Sequence, residues 1–124
     1  MQAFRFYNKE DLLTLTRIRR FETRLGERVQ VLSTATDWEE ALAASSARYI
    51  LFGIPEDLGV KANLGIGGTD TAWFPFLTAF LNLQSNDFLG GEDVLLLGHF
   101  DFGSIESLIE ENAHSFEEKT DAYR

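Results

Sequence analysis

Cysteine is absent from the 124 residues, which excludes disulfides and thiolate chemistry and fits a reducing compartment. Positive charge is in deficit. The formal net charge of −9 argues against a general nucleic-acid or anionic-membrane binder, because attraction to phosphate needs clustered cations. No apolar run approaches the roughly 20 residues needed to cross a bilayer, and the N-terminal MQAFRFY has no extended apolar core of a secretory signal. A soluble, untargeted, cytoplasmic protein is therefore expected. Internal repeats are also missing, and histidine occurs only twice, at His99 and His114.

What is present suits one globular domain. Apolar residues make up 44% and charged residues 25%, and eleven Phe, three Tyr and two Trp supply aromatic core material. Charge is unevenly placed: residues 1–34 are rich in Arg, whereas residues 90–124 are rich in Asp and Glu. Such asymmetry could draw opposite ends, or two copies, together, although solvated faces explain the same pattern. Arg17, Arg19, Arg20, Arg24 and Arg28 form the one basic cluster. It could grip an anionic substrate or acidic partner, or be spent on ion pairs with Glu22 and Glu27.

In chain order, Asn8 precedes an acidic turn and Leu12, Leu13, Leu15 and Ile18, which predicts an N-capped helix. Residues 13–19 also alternate with a period of two, so an extended second half remains open. Gly26 reads as a break and residues 28–32 as a short strand. Asp37 and Glu40 resemble a capping box for a helix over 38–45. Residues 48–54 (RYILFGI) and 93–98 (DVLLLG) read as strands. Between them lie a loop over 55–70 and a helix capped by Thr69 or Asp70, with Ala72, Trp73, Phe76, Leu77, Phe80 and Leu83 on one face. Strand, helix and strand make a βαβ unit, and α/β with a parallel sheet is the expected fold class. Ser104 and Ser115 are candidate caps for two further helices.

Loops at the carboxyl ends of such strands usually carry the ligands, so 55–70 is the place to look for function. It holds Pro55 and four glycines, Gly59, Gly65, Gly67 and Gly68, and could wrap around something compact. A phosphate cradle is disfavoured, because there is no G-x-G-x-x-G or Walker lysine and Asp70 puts a negative charge where phosphate would sit. The run GIPEDLGVKANLGIGGTDTAW, from Gly53 to Trp73, resembles the first strand-loop-helix of the arginase/agmatinase (ureohydrolase) family, in its formimidoylglutamase-like branch. The resemblance extends from FETRLGE at Phe21 to DAYR at Arg124, where a longer protein looks to have been cut.

That resemblance implies a three-layer α-β-α fold of which this chain supplies the N-terminal portion. Residues 1–46 would be a helical or extended extension, and 47–124 the first βαβ unit of a larger parallel sheet. It also implies manganese-assisted attack of hydroxide on an amidine carbon, with formimidoylglutamate, from histidine breakdown, as the first-choice substrate and agmatine, arginine or guanidino acids as alternatives. The family's metal ligands lie in G-G-G/D-H, D-x-H-x-D and D-x-D segments, and none occurs here. No catalytic or metal residue is therefore expected in this chain; the candidates for lining the mouth of the site are Glu56, Asp57, Lys61 and Asn63. His99 and Asp101 alternate and should face one side, yet one imidazole and one carboxylate cannot make a binuclear centre. Partners would be the remainder of the parent enzyme or a second copy. Two other classes stay open: a stand-alone interaction module, and a small-molecule binder using the 55–70 loop. A serine hydrolase lacks its G-x-S-x-G elbow, and Glu110, Glu111, Glu117 and Glu118 read as solvated faces.

Overall fold

A computed structural model describes residues 3–103 and 107–108. Of the expected helix after Ser104 only residues 107–108 are described, and they are helical; Ser104 itself, His114 and the expected helix near Ser115 lie outside the described residues.

Local chemistry starts the first helix as its sequence predicts. Asn8 Oδ1 accepts from the Asp11 N–H (2.8 Å) while the Asp11 carboxylate accepts from the Asn8 N–H (3.0 Å), so two orphan donors are satisfied reciprocally. Helix α1 then runs Lys9–Leu15 and buries Leu12. The helix ends at Thr16, which is extended, and residues 16–19 form neither helix nor strand, with Ile18 exposed, so neither periodicity carries through the second half of the segment.

The expected strand over 28–32 is not formed. Residues Leu25–Arg28 are instead a short helix, α2, and Gln30 alone makes a parallel bridge to Leu95. Gly26 does not break this segment but permits it: a Cβ there would overlap the Thr16 hydroxyl, so glycine lets the turn lie against the end of α1. Glu27 caps the start by accepting from the Arg24 N–H (2.7 Å). At the far end the Lys9 ammonium donates to the Glu27 and Val29 carbonyls (3.1 and 2.9 Å). A cation there complements the negative end of the helix.

The third strand is β1, Phe4–Phe6, a three-residue segment that the hydrophobic pattern does not announce. With β2 (Tyr49–Gly53) and β3 (Val94–Phe100) it forms a mixed sheet of order β1-β3-β2. The β2–β3 pair is parallel, whereas β1 runs antiparallel to β3, so the all-parallel expectation is corrected. Gln30 and β1 share one edge of β3, bridging its first and last parts respectively. The fold is small α/β with five α-helices among the described residues.

Between β2 and β3 come α4 (Leu58–Ala62), a 3-10 turn (Thr69–Thr71) and α5 (Trp73–Leu81). The expected cap by Thr69 or Asp70 is not used: those residues are in the 3-10 turn, and Ala72 precedes α5 without a side-chain bond. Trp73, Leu77 and Leu81 recur every fourth residue and are buried, while Phe76 and Leu83, expected on that face, are half exposed. Phe76 instead stacks on Phe80, with ring centroids 5.9 Å apart. Helix α3 (Trp38–Ala44) forms as predicted, but Asp37 makes no capping bond.

One core joins these pieces. Tyr7, Leu12, Leu25 and Val29 from the first 46 residues pack with α5 and with Val94 and Leu96 of β3. Leu25, Leu81 and Leu96 have no accessible surface, and burying side chains of that size contributes about 1.5–3 kcal/mol each. On the opposite face of the sheet Phe100 packs edge-on against Phe4 and Phe52, at 4.8 and 6.0 Å between centroids. That side is thinly covered, and Ile50 and Phe52 remain 48% and 43% exposed.

A bulge sets up the site. Residues 49–53 of β2 oppose 94, 95, 96, 98 and 99 of β3, so Leu97 has no opposite number. Gly98 adopts φ +146°, and a Cβ on it would overlap the Arg5 carbonyl oxygen. Strict alternation from the inward Leu96 would send His99 to the Phe100 side. The extra residue reverses the parity and turns the imidazole toward α5, where it meets Tyr7 and Phe74.

Candidate functional site

The 55–70 loop is more ordered than its glycines suggest. Asp57 is 4% exposed, and its Oδ2 accepts from the Gly68 N–H (3.1 Å) and pairs with Lys61 Nζ (3.4 Å), four residues along α4. Glu56 accepts through its carboxylate from the Gly59 N–H (3.0 Å) and through its carbonyl from the Thr69 hydroxyl (2.9 Å). A Cβ on Gly67 would run into the Asp57 carboxylate. The compact object around which this loop folds is therefore its own buried carboxylate. Of the four residues singled out from sequence, Glu56, Asp57 and Lys61 are brought together as the loop's internal frame, and Asn63 sits exposed at the end of α4.

A second constellation lies across the sheet, where β1, α1, α5 and the end of β3 enclose a cleft of about 430 Å³. At its back Trp73 Nε1 donates to the Tyr7 hydroxyl (2.9 Å), and that hydroxyl is 2.5 Å from His99 Nδ1. The indole is a donor only, and Tyr7 is 6% exposed, so the single phenolic proton goes to His99. His99 Nδ1 is thereby the acceptor, and the ring is the tautomer carrying its proton on Nε2. Burial pushes the Tyr7 phenol above its ordinary 10.0, which keeps it a proton donor. Burial first, and then the Arg5 guanidinium, hold the imidazole below its ordinary 6.5 against the opposing pull of Asp101.

Arg5 is the cross-strand partner of His99, so both side chains rise from one face of the sheet into the cleft. Asp101 also lines the cleft, as its alternation with His99 predicts. Leu15, Phe74 and Leu77 form its apolar wall. Polar and apolar groups thus share the lining about equally, and convergent polar groups beside an apolar wall are what orients a small molecule in a cleft. Sequence reading singled out His99 and Asp101 and missed Arg5, Tyr7 and Asp11. Tyr7 and His99 are 92 positions apart, and no local pattern connects them.

Among the described residues no three His, Asp or Glu side chains gather in a way that could hold a metal ion. The manganese implied by the family resemblance does not fit them. No described helix is long and apolar enough to cross a membrane. No protein-family model matches this chain, and no match is found among curated proteins or solved structures.

Proposed function

We propose that the chain is the N-terminal part of an arginase-family hydrolase that cleaves a linear amidine, formimidoylglutamate by preference, with the manganese ligands on residues outside these 124. The observation that supports this best is the parallel β2–β3 pair joined through α5, with the glycine-bearing 55–70 loop folded on Asp57 at the carboxyl end of β2. A loop held by a buried carboxylate can border a site without contributing to its chemistry. The edge of β2 that pairs with no strand among the described residues, and the exposed Ile50 and Phe52 beside it, then serve as the surface on which the rest of the parent sheet packs, or a second copy when the chain is alone.

The test is the gene beyond the codon for Arg124. Reading on in frame is expected to give the G-G-G/D-H, D-x-H-x-D and D-x-D segments in that order. The protein carrying them is expected to hydrolyse formimidoylglutamate to glutamate and formamide when Mn²⁺ is supplied. Residues 1–124 by themselves are expected to show no turnover. An in-frame continuation without those segments, or turnover by the short chain that disappears on His99→Ala, would remove the reading.

A further inference from the structure

The Tyr7–His99 cleft is independent of the 55–70 loop and of the amidine chemistry assigned above. Its polar groups sort by sign and position. Donors stand together: the Nε2–H of His99, fixed by the Trp73–Tyr7–His99 chain of hydrogen bonds, and the guanidinium of Arg5, opposite it on the neighbouring strand. Arg5 is only loosely engaged, through an exposed 3.4 Å contact with Asp11, whose carboxylate also accepts from the Asn8 N–H. Asp101 stands two residues beyond His99 and lines the same cleft, accepting from the Gly103 N–H through Oδ1 (2.9 Å). Leu15, Phe74 and Leu77 offer an apolar surface between them and the core.

With His99 neutral, Arg5, Asp11 and Asp101 leave the lining, among the described residues, one negative charge in excess. A dianion such as a phosphate ester is repelled, and a simple cation finds two donors facing it. A zwitterion matches both signs: a carboxylate opposite Arg5 and His99, an ammonium opposite Asp101, and an apolar side chain against the Leu–Phe wall. We propose that this cleft binds a free apolar α-amino acid, of the size of leucine or phenylalanine, as an unmodified zwitterion.

The experiment uses the full 124-residue chain and three probes: L-phenylalanine, phenylacetate, which lacks the ammonium, and phenethylamine, which lacks the carboxylate. Binding is followed by titration calorimetry and by the imidazole resonances of His99 in two-dimensional NMR. L-Phenylalanine is expected to bind with a dissociation constant on the order of 1 mM, the range open to a ligand of so few atoms, and to shift the His99 Nε2 resonance. Each half-ligand is expected to bind roughly tenfold more weakly or worse, as is L-phenylalanine to the Asp101→Asn variant, because each lacks a charge-assisted contact. Arg5→Gln should weaken phenylalanine and phenylacetate alike. Asp101 is exposed, so its replacement keeps the test open should Arg5→Gln fail to fold. Undetectable phenylalanine binding at 20-fold above the expected constant, equal binding of either half-ligand, or an Asp101→Asn variant that binds phenylalanine unchanged would each overturn the assignment.

Discussion

Replacing Tyr7 with phenylalanine removes one oxygen and leaves the ring in place, so it isolates what that hydroxyl does. Tyr7 is 6% exposed and Trp73 9%, so water cannot readily take over the indole N–H once the hydroxyl is gone. A buried donor left without its acceptor costs about 1–3 kcal/mol, whereas little packing is lost because the ring still fills its place. His99 Nδ1 loses its only phenolic donor at the same time, but the imidazole is partly exposed and water can serve it. The expected result in urea is a stability loss of about 1–3 kcal/mol with an unchanged denaturant slope. NMR adds a second readout: the ¹⁵N shifts of His99 should move from a single Nε2–H tautomer toward a mixture. A loss below about 0.5 kcal/mol together with an unaltered tautomer would refute the hydrogen-bond chain, since ordinary surface substitutions stay within that margin.

Gly98→Ala places a methyl against the Arg5 carbonyl in a left-handed conformation. Thermal unfolding should show a loss of at least about 2 kcal/mol, and amide exchange should accelerate first along β1. Asp57→Ala should leave the core intact while exchange of the Gly68 amide, released from its acceptor, speeds up; an unchanged Gly68 rate would contradict the frame described for the loop. Stability should fall as pH drops below the ordinary histidine value of 6.5, because the unfolded chain takes up the proton before the folded one, whose His99 is held lower. The decline should level off once the folded imidazole is also protonated. Urea titrations of the wild type and His99→Gln between pH 7.5 and 5 would check this, and an identical pH slope in the two would count against it.

Those elements that rest on neighbours in the chain could be read from sequence. Asn8 and Asp11 cap α1 across three residues, and the apolar runs at 49–53 and 94–100 each satisfy their backbone groups by pairing with the other as extended chain. Where a distant contact decides, the reading fails. Gly26 looks like a breaker but sits inside α2 because Thr16, ten residues earlier, presses on it. Phe4–Phe6 is too short to show a period, and it becomes a strand because the end of β3 offers an unpaired edge. Asp37 has capping-box spacing, yet its backbone at φ −112° and ψ 57° is not the extended conformation that aims a cap at the helix. The cleft was least legible of all. His99 and Asp101 are visible as a pair, but the side on which they fall depends on one unpaired residue, Leu97, that alternation cannot foresee.

Because the cleft takes one wall from residues 5–15 and the other from 74–101, it has no precursor in any contiguous piece of the chain. Its assembly must await the return of the amino-terminal strand across an intervening span of more than 90 residues, one of the most entropically demanding closures in the molecule. Occupancy of that pocket would therefore report that residues 5–15 have docked on residues 74–101, and a nascent chain could acquire a ligand there only after those two segments had met.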